Sequence, residues 1–129
     1  MNVCNGTNDS DVICEASRSA KIAKLNDEFR VDAWTSCSKK KGEAYITRGF
    51  SSLSLAVQLI AITLAQTFYE FTEDNDPHGE HDFGSIDAEG YKFFWKIDYY
   101  DKDKKYGSPD PTDPEQTTRV ITLMLAEEY

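Results

Sequence analysis

The stretch "TEDNDPHGEHDFGS", residues 72–85, holds both histidines of the chain, His78 and His81, among Glu73, Asp74, Asp76, Glu80 and Asp82, with no Lys or Arg. An imidazole beside a carboxylate is a recurrent acid–base pair, because the carboxylate fixes the tautomer and orients the ring. His81 with Asp82 is the candidate catalytic pair, with Asp76 or Glu80 as alternative carboxylates. No G-x-S-x-G turn and no glycine-rich phosphate loop accompanies it, so Ser85 and Cys37 are the nucleophiles such a site would have to use. Metal binding is a second chemistry. His78, Glu80, His81 and Asp82 supply nitrogen and oxygen ligands at a spacing that a loop folded round zinc could use. The H-E-x-x-H helix is absent, and Pro77 and Gly79 favour a turn. Laid on the calcium loop of an EF-hand from Asp74, the stretch puts Asp76 and Gly79 where they are wanted, but His78 and Ser85 fall where carboxylates belong, so the closing bidentate ligand is missing. No cofactor is expected from these patterns, and a divalent metal is the one candidate ligand.

Two further readings need no reaction. Asn75-Asp76-Pro77 starts a turn, Asn and Asp bond their own backbone, and Gly79 and Gly84 permit sharp bends. The motif can then simply shape a crossover, with Phe83 in the core and His81 as a hydrogen-bond bridge. The other reading is electrostatic. Glu70, Glu73, Asp74, Asp76, Glu80, Asp82, Asp87 and Glu89 lie between residues 70 and 89 without a Lys or Arg among them. The net charge of -9 is uneven: residues 1–65 carry seven Asp/Glu against eight Lys/Arg, and residues 66–129 carry sixteen against six. Crowded like charges repel one another and cost stability, which suits a surface whose field is used. That field argues against direct nucleic-acid binding and against an anionic membrane, and it fits the basic surface of a nucleic-acid-binding protein. The partner-binding candidates are Glu73, Asp74, Asp76, Glu80 and Asp82, joined by Asp98, Asp101 and Asp103. Near the last three, Tyr91, Phe94, Tyr99, Tyr100 and Tyr106 add aromatic contact area of the kind interfaces favour.

The elements that must position this loop can be read from periodicity. Ile22, Leu25, Phe29 and Ala33 share a helical face, with Lys21, Lys24, Asp27 and Glu28 elsewhere, so a first helix runs from near Ser17 to before "TSCSKKKG". Lys39, Lys40 and Lys41 read as a solvated linker. "EAYITRG" reads as a short strand stopped by Gly49. A second helix follows, capped by Ser51 or Ser52 and running to about Tyr69, with Leu53, Val57, Ile60, Leu64, Phe68 and Phe71 as its apolar stripe. Beyond the acidic loop the period becomes two. Two strands meet around Ala88, Glu89 and Gly90, and Phe93, Trp95, Ile97 and Tyr99 share one face of the second. "DKDKKYGSPDPTDPEQ" is a loop, and "TTRVITLMLAEEY" is read as a buried strand in preference to a short helix. The expectation is an α+β, two-layer domain: two helices packed on an antiparallel sheet of about three or four strands. Residues 1–16 are expected to be a flexible tail and residues 17–129 a single domain.

Residues 49–69 contain no charge, yet seven of them are Ser, Thr or Gln, and their spacing favours a core helix over a membrane span. Cys4, Cys14 and Cys37 are odd in number and form no C-x-x-C pair, as expected for free thiols in a reducing compartment. With no basic segment leading an apolar run near the start, a cytoplasmic protein is expected.

The segments "IAKLNDEFR", "FTEDNDPHGEHDFGS", "FFWKIDYYD", "YGSPDPTDP" and "TTRVITLMLAEEY" together resemble the bacterial family catalogued as domain of unknown function 3768, over about Ile22 to Tyr129. Its most specific piece is "NDPHGEHDFG". The resemblance implies a small bacterial protein linked to plasmids and other mobile elements, with no assigned activity. Joined to the charge, it gives the expected function: a small acidic inhibitor of a nucleic-acid-binding protein, a DNA mimic of the anti-restriction or anti-CRISPR type. A small metal-dependent or His/carboxylate enzyme centred on the loop is the alternative, and a purely structural domain is a further one.

Overall fold

In the computed structural model, which describes residues 8–35 and 42–129 (backbone alone for 8–16), the chain begins with helix α1, Asn8–Asp32. The helix starts ahead of Ser17, so residues 8–16 of the expected tail are helical in backbone, while Cys4, Cys37 and the lysine linker lie outside the described residues. Ile22, Asn26, Phe29, Arg30 and Ala33 form its buried face. Their spacing is that of a helix, but two members are polar, and this is what ties α1 to the loop below.

Strand β1, Gly42–Ile46, leads into a short helix α2, Arg48–Ser51, and then α3, Leu55–Gln66. The single helix expected from Ser51 to Tyr69 is therefore broken. Ser51 and Ser52 do not cap it; their hydroxyls donate back to the carbonyls of Arg48 and Gly49. Thr47 caps α2 by accepting from Phe50 N, and Ser54 caps α3 by accepting from Val57 N at 3.3 Å. The buried face of α3 also differs from the expected stripe. Ala61 and Ala65 are fully buried, Leu53, Val57, Phe68 and Phe71 pack beside them, and Ile60 and Leu64 turn outward with Leu59 and Leu55, the last 69% exposed. A helix that is apolar on every side gives periodicity no face to choose. The small alanines decide, because they let the helix backbone lie close to the core.

Strands β2, Phe83–Ala88, and β3, Tyr91–Tyr100, form the expected hairpin, and β4, Thr118–Leu125, is a strand. Glu89 and Gly90 both hold positive φ, 53° and 84°, the geometry of a two-residue turn that follows the strand twist. The order is β1-β4-β3-β2. β4 runs antiparallel to β3 but parallel to β1, with Gly42 opposite Arg119 and Ile46 opposite Leu123, so the sheet is mixed where an antiparallel one was expected. The fold is α+β.

The inner face of the sheet presents Phe93, Trp95, Ile97, Ile121 and Leu123 to Phe29, Phe50 and the α3 alanines. Phe83 is not part of this core. It lies on the opposite face, where it meets Phe94 and Tyr129 with ring centroids 5.1 and 5.7 Å away. A 3₁₀ turn, Ala126–Glu128, closes the described chain and swings the Glu128 carboxylate onto α2, where it accepts from Gly49 N at 2.9 Å. Among the described residues no helix is long and apolar enough to cross a membrane.

Candidate functional site

The loop between α3 and β2 is built by its own side chains. Thr72 and Asn75 exchange side-chain and backbone bonds, and Asn75 Nδ2 reaches Glu70 O at 2.9 Å. Asp76 N donates to Thr72 O and Gly79 N to Asp76 O, so Pro77 sits where its fixed φ starts the turn and Gly79, at φ 69°, completes it. The Asp76 side chain is buried. Its Oδ1 accepts from the amides of Glu80 and His81, at 3.2 and 3.3 Å. These bonds hold His81 at φ 55°, a conformation that costs a non-glycine residue on the order of 1 kcal/mol and persists only where the surroundings impose it.

His81 is then aimed at α1. Its Nδ1 lies 3.0 Å from both oxygens of Asp27, and its Nε2 faces Asp76 Oδ2 at 3.8 Å. The ring lies flat on Phe71, with centroids 3.8 Å apart and planes 3° from parallel. Asp27 also receives Arg30, at 3.2 Å. Arg30 is buried, donates from Nε to Ala65 O and from Nη2 to Phe68 O, both at 2.9 Å, and sits over the rings of Trp95 and Phe71. It thus closes the open carbonyl end of α3 with a cation, where the helix dipole favours one. Burial pulls the Arg30 pKa down, and Asp27 opposes that shift.

A second chain of bonds runs beside the first. Asn26, fully buried, donates from Nδ2 to Glu80 O and to the Tyr99 hydroxyl, and its Oδ1 accepts from Arg119 Nε at 2.6 Å. Tyr99 donates onward to Glu80 Oε1 at 2.9 Å. Burial, with the Glu80 and Asp82 charges behind it, pushes the Tyr99 phenol well above its ordinary pKa, which keeps it a donor. Arg119 reaches Pro111 O, tying in the loop 101–117, which is ordered by bonds such as Ser108 N to Tyr99 O. Asn26, Asp27, Arg30 and Arg119 were not singled out as site residues by sequence, and Tyr99 was read only as an interface aromatic. The only signal for them is the polar pair Asn26-Asp27 and Arg30 breaking an otherwise apolar helix face.

The candidates of the sequence are thus separated. His81 and Asp82 do not form a pair, since His81 turns to Asp27 and Asp76. Asp82 is half-buried, and desolvation, then Glu80, raises its pKa. His78 is exposed, Glu80 is turned to Tyr99, and among the described residues no group of three or more His, Cys, Asp or Glu side chains gathers to hold a metal. Of the partner-binding acids, Asp76 and Glu80 are spent inside the network, Asp98 is paired with Lys96 at 3.0 Å, and Asp101 accepts from Lys105 N. Glu73, Asp74 and Asp103 are exposed, as is Glu70 beside them in the loop. The aromatic set divides too: Tyr99 is in the network, Phe94 in the outer cluster, and Tyr106 stands in solvent.

No curated protein and no solved structure matches the chain. The family model described as protein of unknown function (DUF3768) matches residues 46–128, starting after α1 and so leaving "IAKLNDEFR" outside. The match spans well over half of the 129 residues, and the chain belongs to that family.

Proposed function

We propose that this protein is a non-enzymatic binding protein that presents exposed carboxylates to the basic surface of a nucleic-acid-binding protein, as a DNA mimic of the anti-restriction or anti-CRISPR type does. The observation that carries the reading is the use made of His81. Both ring nitrogens face the chain's own carboxylates and one ring face is covered by Phe71, so the imidazole is a clasp that fixes the loop. The same observation counts against an acid–base or metal-dependent enzyme built on His81 with Asp76, Glu80 or Asp82. What the clasp leaves outside is charge: Glu70, Glu73 and Asp74 follow one another along the exposed part of the loop with no cation paired to them among the described residues. The cytosolic setting expected from the cysteines and the mobile-element setting implied by the resemblance belong to the same proposal.

Purified protein added to a panel of restriction and RNA-guided nucleases cutting a plasmid tests it. Inhibition that duplex DNA relieves, that fades steeply with added salt, and that E73Q/D74N weakens is the expected result. A panel in which no enzyme is inhibited, or inhibition indifferent to salt and to E73Q/D74N, overturns it.

A further inference from the structure

β2 is an edge strand, and its outer rim is open. The bond from Ile97 N to Asp82 O, 2.8 Å, marks that pair as bonded, and the register then makes Gly84/Trp95, Ile86/Phe93 and Ala88/Tyr91 bonded pairs as well. The peptide groups of Phe83, Ser85 and Asp87 therefore point away from β3, and among the described residues no other strand lies on that side. Beside this rim runs a groove of about 320 Å³, walled on one side by Ser85, Ile86 and Asp87 and on the other by Leu64, Phe68, Tyr69 and Glu70. Leu64 is partly exposed and Tyr69 is 80% exposed, so the far wall of the groove offers apolar surface to solvent. Natural edges are commonly blunted by lysine, proline or a bulge. β2 carries none of these, and its register with β3 is unbroken.

We infer that the β2 edge takes an extended segment of a partner protein as a fifth strand, a segment that alternates apolar residues with Lys or Arg. Main-chain bonds to Phe83, Ser85 and Asp87 would supply affinity, the groove would take an apolar side chain, and Glu70 and Asp87 would meet the cations. Charge selects this occupant: the second half of the chain carries sixteen acids against six bases, which disfavours a second copy of the same edge and an anionic membrane alike. Asp87 also reaches Lys92 at 3.9 Å on the exposed hairpin, a contact weak enough to yield. The inference rests on the acidic-binding reading above and names where on the molecule the partner lies.

The test uses the full chain, isotope-labelled, and a capped peptide of about six residues alternating Val with Lys and Arg. On saturation, the amide protons of Phe83, Ser85 and Asp87 should exchange about tenfold more slowly or better, while those of Gly84, Ile86 and Ala88, already bonded to β3, should not change. The same peptide N-methylated at alternate bonds should not bind, and E70Q/D87N should weaken binding roughly tenfold at low salt. S85P removes an N–H that points outward from the sheet, at a position where an edge strand tolerates proline, and should abolish binding while the fold stays intact by its amide spectrum. No binding, binding without that alternation, or equal binding of the methylated peptide overturns the inference. If S85P loses the peptide yet still inhibits a nuclease with unchanged salt dependence, the edge is not the inhibitory surface and the acidic-binding reading stands alone. If the peptide protects the three amides while E73Q/D74N leaves every nuclease unaffected, the edge stands and the inhibitor reading falls.

Discussion

Arg30 carries a full charge into a space walled by Trp95 and Phe71, and it can stay there because Asp27 neutralises it and the carbonyls of Ala65 and Phe68, at and just past the end of α3, accept hydrogen bonds from it. Arg30→Met keeps the bulk and removes all of that, leaving buried acceptors unpaired. It should cost roughly 3–5 kcal/mol in a urea melt. Asp82 offers the opposite case. Its folded-state pKa is raised above the ordinary 3.8, so the folded chain holds that proton more tightly than the unfolded one, and stability falls as pH rises from about 3.8 through the raised value. Asp82→Asn should therefore raise the melting temperature at pH 7 and give no gain below pH 4, and an equal effect at both pH values would show that burial of the charge is not the cause. Of these roles, the turn chemistry of Asn75, Asp76, Pro77 and Gly79 was legible in sequence because it is local. The roles of Asn26, Arg30 and Arg119 were not, because Asn26 and Arg119 meet across 93 positions and Arg30 bonds Ala65 across 35.

At the scale of elements, the β2–β3 hairpin was readable from period and turn, since alternation and Gly90 act over a few residues. The face of α3 was not, because the choice between alanines and leucines is made by how closely the sheet approaches. The hairpin still contains a mismatch. Glu89 occupies positive φ in a turn that favours Asn, so Glu89→Asn should stabilise the protein by roughly 0.5–1 kcal/mol in thermal or denaturant melts. Gly84 is required for another reason. A Cβ there would stand 2.3 Å from the Trp95 indole nitrogen, which is buried and has no hydrogen-bond partner. Gly84→Ala should cost about 1–3 kcal/mol through displacement of that ring, read as lost stability together with a changed tryptophan emission. The glycine that ends "NDPHGEHDFG" is thus a packing residue for the core.

Over the whole molecule, charge opposes cohesion. The net charge of -9 repels itself, so added salt should raise the melting temperature of the free protein, in contrast to the weakening expected for any complex with a basic partner. A melt that is flat or falls with salt would show that paired charges, not repulsion, dominate the surface. The parallel pairing of β1 with β4 was the feature of the sheet least accessible to sequence reading, since it joins Gly42 to Arg119 with both helices and the hairpin between them. Because β4 lies between β1 and β3 and follows both in sequence, β1 has no neighbour in the sheet until β4 is available to pair with it. Loop closure over such a span is slow, so the early chain must wait with its apolar helix uncovered. The sheet should therefore close in one late step, once β4 is available, with α3 the segment a chaperone would hold in the meantime.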